Sequence, residues 1–404
     1  MRRLATVLVL VAGVTACGSG DRAVVVGAVY PTGGHQGPGG IEEYRGVELA
    51  AEYVNRDAGT GGRAVELRLR PAGHREEAPA AIDRLADDGV QVVLGSYGST
   101  ISLPAARAAA RRGLVFWETG AVGDLPMPSS ESGATFRYPA TGRFLGRQAV
   151  AFVEDELELG DELTYTVAYV DDVYGRSVGA GALAEIAERG VKLGADLAYE
   201  LASVDYDDLV DRIERAGTDV LVVAAYLDDG VALRRAIVRR GLDLRANIGT
   251  SSSYCMLQFG SMLGPDAVGL FASDKPDGPA VKAERLRPDA AAALRWARRT
   301  YEQRFGTAMT APALTGFSGA LALFRHVLPR ADGDSARAIA RAAMRADVPR
   351  GALPDGGGLK FSERPSEVRT NERATSVIWE WVARDNRAVV WPPSAASHDI
   401  VAPG

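Results

Sequence analysis

The feature that most limits how this chain can fold is a regular alternation of short β-branched runs with helix-period segments, carried from Ala23 to Arg240. It is clearest at Val92-Val93-Leu94-Gly95-Ser96-Tyr97-Gly98-Ser99-Thr100, where an apolar run stops at small and hydroxylated residues and the Ala/Arg-rich pattern Ile101 to Arg112 follows. Such a run is a strand buried on both faces, ending at a helix N-terminus. Repeated strand-helix units specify a parallel, doubly wound α/β sheet with right-handed crossovers, in which ligands bind beyond the carboxyl ends of the strands. The free N–H groups and positive dipole end of the helix favour an anionic or acceptor group there, and Ser99 or Thr100 can add a hydroxyl. Either residue can equally serve as an ordinary N-cap.

Taken in order, Ala23 to Val29 reads as a strand that leads into a Gly/Pro-rich loop, Tyr30 to Gly40. Helix follows over Ile41 to Arg56, strand over Ala64 to Arg70 and helix over Ala78 to Asp88, and Leu114 to Trp117 is a strand that stops at Glu118-Thr119-Gly120-Ala121. A second alternating unit begins with the helix Arg143 to Glu158. Its strands are Thr164 to Val170, Ala195 to Leu201 and Asp219 to Ala225, and its helices are Ser177 to Arg189, Tyr206 to Ala216 and Asp229 to Arg240. Ala267 to Ser273 is a further strand, followed by helices over Ala290 to Phe305, Leu314 to Leu328 and Ser335 to Ala346. Gly358 to Phe361, Ser376 to Trp381 and Ala388 to Trp391 read as closing strands, and 394–404 as a loose tail.

A length of 404 residues allows two lobes with real cores, and a net charge of -6 without a basic tract argues against nucleic acid as a partner. Met1-Arg2-Arg3, the apolar Leu4 to Val14 and the small residues before Cys17 read as an export signal over 1–17. The apolar run is shorter than the roughly 20 residues a membrane-spanning helix needs. Val14-Thr15-Ala16-Cys17 resembles the lipobox of bacterial lipoproteins, in which the cysteine becomes residue one and carries a diacylglyceryl group. The expected product is exported and held by lipid at the outer face of the cytoplasmic membrane. Cys255 is then left without a disulfide partner and reads as a small buried hydrophobe. Four scattered histidines give no metal-ligand set, and nothing points to a cofactor.

The order of these features is similar over nearly the whole mature chain to the type I periplasmic binding proteins of the leucine/isoleucine/valine-binding group, the solute receptors of branched-chain-amino-acid ABC importers. The matching residues are Gly27-Ala28-Val29-Tyr30-Pro31-Thr32-Gly33, Arg45-Gly46-Val47-Glu48-Leu49-Ala50 with Val54-Asn55, Val93-Leu94-Gly95 with Ser99-Thr100, Glu118 to Ala121, Asp171-Asp172-Val173-Tyr174-Gly175, Ala224-Ala225-Tyr226, and Gly357 to Ser362. The resemblance implies two Rossmann-like lobes joined by three hinge crossovers, near Pro139, Lys275 and Ala374, with a ligand cleft between them. Lobe 1 would be 23–139 plus 276–373, and lobe 2 would be 140–275 plus 374–393. It also implies a monomer without catalytic residues that takes an amino acid or related amide or carboxylate to an ABC permease and its ATPase subunits.

Carried over position by position, the resemblance assigns Ser99 to a ligand carboxylate, Thr119 and Ala121 to the next loop's contacts, and Tyr174 and Tyr226 to the second lobe. Tyr97, Thr100, Glu118 and Ser251 complete the expected ligand-binding set. One departure matters. Gly249-Thr250-Ser251-Ser252 stands where amino-acid-binding members have an acid for the ligand's ammonium, and a serine supplies no such charge. Glu118, Asp171 and Asp172 are the nearby candidates to replace it. Two other functions compete: a ligand-sensing receptor of the same build that signals to a membrane partner, and a serine hydrolase using Ser177 of Gly175-Arg176-Ser177-Val178-Gly179.

Overall fold

The computed structural model describes residues 23–124, 133–160, 162–365 and 367–401. The export signal and Cys17 lie outside them. Two sheets organise the chain. The first has β1 (Val24–Val29), β2 (Val65–Leu69), β3 (Val92–Gly95), β4 (Val115–Glu118) and β5 (Thr135–Arg137) in the order β2-β1-β3-β4-β5. All its pairings are parallel. On one face pack α1 (Gly37–Asn55), α9 (Pro288–Phe305), α10 (Ala311–Ala322) and α11 (Ala336–Arg345); on the other lie α2 (Ala78–Asp87) and α3 (Ser99–Arg111). Strand periodicity divides the cores: Val92 and Leu94 join the α1 side, and Val93 joins the α3 side.

The second sheet has β6 (Thr164–Val170), β7 (Lys192–Tyr199), β8 (Val220–Ala224), β9 (Ala246–Thr250), β10 (Phe271–Asp274), β11 (Val377–Ala383) and β12 (Asn386–Trp391), in the order β12-β11-β10-β9-β8-β6-β7. Helices α4 (Gly142–Glu156) and α5 (Val173–Arg189) cover one face; α6 (Tyr206–Arg215), α7 (Leu227–Arg240) and α8 (Leu257–Leu263) cover the other. The chain passes between the sheets three times: after β5, after β10 and before β11.

Several elements differ from the sequence reading. The final two strands pair antiparallel, so the second sheet is mixed. β5 and α8 have no counterpart in that reading, because three residues and seven residues give too short a period to register. Gly358 to Phe361 is not a strand; it makes only single bridges, Val348 with Leu359 and Phe361 with Asn371. The described part of the tail is tied down rather than loose, since the Ser397 N–H donates to Val389 O and the Val401 N–H to Glu380 Oε2.

Helix α1 starts at Gly37, four residues before the predicted Ile41, with Pro38 in its first turn. Its glycines serve close packing instead of a turn. A Cβ at Gly46 would strike the carbonyl oxygen of Ala313, and one at Gly316 would strike that of Glu43, so α1 and α10 meet backbone to backbone.

Candidate ligand-binding cleft

The loops at the carboxyl ends of β3, β4, β6, β8 and β9 converge, with parts of α1, α8, α10 and β12, on one cavity of about 170 Å³. Of the nine residues expected to bind ligand, Tyr97, Ser99, Ala121, Tyr174, Tyr226 and Ser251 line it.

Ser99 opens α3 as its first residue. The N-cap is Gly98, at φ 87°, where a Cβ would collide with Gln36 Oε1. Glycine is therefore favoured there by its positive φ, and a side chain would also have to displace the Gln36 amide. Because Gly98 brings no side chain, the first N–H groups of the helix receive no side-chain cap. The Ser99 hydroxyl accepts from the Gly123 N–H at 2.9 Å, fixing the β4–β5 connection against the helix end. Ser99 thus caps nothing and faces the cavity; Thr100 turns away, accepting from Gln36 Nε2 at 2.8 Å and lining a separate surface groove.

Glu118 and Thr119 lie behind the cavity wall, not on it. Glu118 is fully buried, and its Oε1 accepts from the N–H groups of Ser96 (3.0 Å), Gly120 (2.9 Å) and Ala121 (2.8 Å). It holds both lobe 1 loops in shape. Thr119 Oγ1 donates to Glu43 Oε1 at 2.6 Å and meets Tyr30 Oη at 2.5 Å. Burial pushes Glu118 up to about 8 and Glu43 up to about 7, so a pair of carboxyl groups sits protonated or nearly so beneath the Thr119–Ala121 loop.

The lobe 2 wall is built by two tyrosines whose rings lie 5.4 Å apart. Tyr226 Oη donates to Asp172 Oδ2 at 2.6 Å, while Asp172 Oδ1 accepts from the N–H groups of Tyr174 (2.8 Å) and Gly175 (3.0 Å), capping α5. Tyr174 Oη bonds Thr250 Oγ1 at 2.9 Å and the carbonyl of Ser251. Burial raises both phenols well above their ordinary range, so each stays a neutral hydroxyl.

None of the three acids considered as an ammonium partner is available to a ligand. Glu118 holds the loop, Asp172 caps α5, and Asp171 pairs with Arg176 on the surface. The acids that do line the cavity are Glu42 and Asp274, and the cations are Lys275 and Arg387. Sequence reading misses these four. They come from α1, from the end of β10 and from β12, and only the sheet register brings them together. Lys275 Nζ reaches across to the carbonyl of Gly120 at 3.0 Å, joining the segment after β10 to the loop after β4. Arg387 donates to the carbonyl of Cys255, pairs with Asp277 at 3.1 Å and covers the ring of Trp379. Cys255 also lines the cavity; it is buried, which raises its thiol well above the usual range.

Ser177 lies inside α5, not at a strand-to-helix elbow, with its hydroxyl buried and unpartnered beside Gly142. His326 and His398 belong to the segments after α10 and β12, and neither bonds it. No strained turn presents this serine as a nucleophile. Among the described residues no group of His, Cys, Asp and Glu could hold a metal, and no helix is long and apolar enough to cross a membrane.

A family model described as periplasmic binding protein matches residues 23–364. The chain is 26% identical over 382 residues to "Leu/Ile/Val-binding protein homolog 8" of Brucella abortus, covering 92% of this chain and 91% of that protein. It is 26% identical over 390 residues to "Leu/Ile/Val-binding protein homolog 7" of Brucella melitensis, covering 94% of each. Among solved structures, a leucine-binding protein from Thermotoga maritima superposes with a TM-score of 0.76 at 16% identity, over 91% of this chain and 97% of the other. A branched-chain amino acid transporter substrate-binding protein from Streptococcus pneumoniae, in complex with isoleucine, superposes with a TM-score of 0.70 at 16% identity, over 92% and 100%. These relatives and fold neighbours are solute-binding proteins, not enzymes, and their family implies an extracytoplasmic location. With its bilobed α/β fold and a family match that runs from the first strand to beyond the last helix, this chain belongs to the periplasmic binding protein family.

Proposed function

We propose that the protein is the solute-binding component of an ABC importer, closing its lobes on a small polar solute, an amino acid or related amide or carboxylate, and delivering it to a permease and its ATPase subunits. The observation that carries this reading is the convergence on one cavity of an uncapped helix N-terminus from lobe 1 and a tyrosine pair from lobe 2. The α3 N-terminus suits a carboxylate or carbonyl oxygen, and the rings of Tyr174 and Tyr226 suit an apolar body. Ligand touching both walls favours the closed arrangement by its differential affinity for it, which is a shift of population and needs no covalent step. Cys17 provides the lipid anchor that keeps the domain beside its permease.

The test is a thermal-shift screen of the chain from Gly18 onward against amino acids, amides, small carboxylates and aromatic acids. A native-state ligand at a hundredfold excess over its dissociation constant stabilises by about 2.7 kcal/mol. A hit that Ser99→Ala and Tyr226→Ala each abolish is the expected result, and the absence of any shift across all these classes would overturn the reading.

A further inference from the structure

The cleft has no acid on the β9 loop, where Ser251 stands with a buried hydroxyl that finds no partner. One strand away, at the last residue of β10, is Asp274. Its side chain is 3% exposed and it lines the cavity. Its Oδ1 has no hydrogen-bond donor. A carboxylate oxygen this deeply buried without a donor is costly unless something else completes its shell. The neighbouring groups do not complete it. Lys275 Nζ lies 3.8 Å from Oδ1, near enough to balance charge but beyond hydrogen-bond reach, and its bond goes to Gly120 O. The Cys255 thiol lies beside the carboxylate, but a thiol is only a weak donor. Arg387 is engaged by Cys255 O, Asp277 and the Trp379 ring. Glu42, the other acid on the wall, sits against Thr310 and Arg45. Of the two acids on the cavity wall, Asp274 is the one with a buried carboxylate oxygen that has no hydrogen-bond partner.

Resting on the solute-binding reading above, we infer that Asp274 is the specificity-determining residue that selects solutes carrying a protonated amine. The ammonium donates to Asp274 Oδ1 with the Ser251 hydroxyl beside it, while an anionic or carbonyl end of the same solute lies at the N-terminus of α3. Asp274 ends the strand adjacent to β9, whose following loop carries Ser251. The Lys275 ammonium, 3.8 Å from Oδ1, balances the charge of the carboxylate. A solute lacking the amine leaves Oδ1 as unsatisfied as before and gains nothing from it.

The experiment pairs amines with their amine-free counterparts: leucine with 4-methylpentanoate, phenylalanine with 3-phenylpropanoate, and 4-aminobutyrate with butyrate. Binding of each is measured by titration calorimetry to the wild type and to Asp274→Asn, which keeps the shape and removes the charge. Melting temperatures of the ligand-free proteins confirm the fold, and Asp274→Ser is carried alongside should the Asn variant fold poorly. The wild type is expected to prefer the amine in at least one pair by about 100-fold or more, as for a buried charge pair, with the variant reducing that ratio to below about tenfold. A ratio unchanged in the variant, including equal weakening of both partners, overturns the assignment, since a merely structural role would act on both alike. So does a wild type that binds no amine in any pair. Binding of an amine-free acid that Ser99→Ala abolishes would in that case leave the importer reading standing, whereas failure of the whole solute panel removes that reading separately.

Discussion

Replacing Glu43 with glutamine should make the protein's stability less dependent on pH, by an amount that follows from its burial. Glu43 is fully buried in α1 beneath the Thr119–Ala121 loop, with Oε1 bonded by Thr119 and Oε2 without a partner. Burial raises its pKa from 4.5 to about 7, with Thr119 and Lys275 acting in the opposite direction. A raised carboxyl pKa means that the folded state holds a proton the unfolded chain releases. Its contribution is therefore complete below pH 4.5 and declines as pH rises toward 7. The loss approaches about 1.36 kcal/mol per pH unit near pH 6, amounts to about 2 kcal/mol between pH 5 and pH 7, and levels off above 7. Glutamine is neutral throughout and close in shape to the protonated acid. The difference in unfolding free energy between Glu43→Gln and wild type should thus shift by about 2 to 3 kcal/mol in favour of the variant from pH 5 to pH 8. Any constant cost of the altered hydrogen bonds cancels in that comparison. Glu118 has its own raised pKa, pushed up first by burial and in smaller part by the neighbouring Glu43 charge, so only the burial part of its slope is common to both proteins. Urea unfolding at fixed ionic strength, with equal slopes in denaturant, measures the quantity. A difference that stays constant with pH would show that Glu43 is ionised in the fold throughout, so that burial does not govern its protonation.

Gly46→Leu should destabilise lobe 1 by more than about 3 kcal/mol, and Gly46→Ala by about 1 to 3 kcal/mol, because any Cβ there meets the α10 backbone. Melting curves that match wild type would mean that the two helices separate without loss. Cys17→Ser should move the protein from the membrane fraction to the soluble extracytoplasmic fraction of an expressing cell. Retention on the membrane would argue against a lipid anchor at this residue.

Central strands are legible in the sequence because both of their faces are buried: a run such as Val220 to Val223 is apolar at every position, and the structure divides it between two cores. Helix starts are less legible. Gly37 to Gly40 has the composition of a loop, yet those glycines are helical because Gly39 lies against the Tyr97 ring and Gly40 against Pro31. Loops at strand ends can be placed from the pattern, and the family resemblance then picks out Ser99, Ala121, Tyr174, Tyr226 and Ser251 within them, all of which line the cavity. The charged members cannot be picked out in this way. Asp274 and Lys275 sit where the chain leaves β10, and Arg387 enters on an antiparallel strand, so their meeting depends on register and on long returns of the chain. Glu118 reads as a candidate ammonium partner from its place beside the Thr119–Ala121 loop; its neighbours in sequence do not show that its carboxyl group is taken up by three backbone N–H groups.

The three passages of the chain between its sheets bear on how the protein can be made. Trp379 and Trp381, on β11, belong to the core of lobe 2, whose other strands were laid down from residue 164 onward; α9, α10 and α11 belong to the core of lobe 1, whose strands begin at residue 24. A growing polypeptide therefore holds two unfinished cores at once, and the second is closed only when residues beyond 377 emerge. Each core is thus completed by segments far along the chain, lobe 1 by helices after residue 288 and lobe 2 by strands after residue 377, so neither lobe is encoded by one continuous stretch.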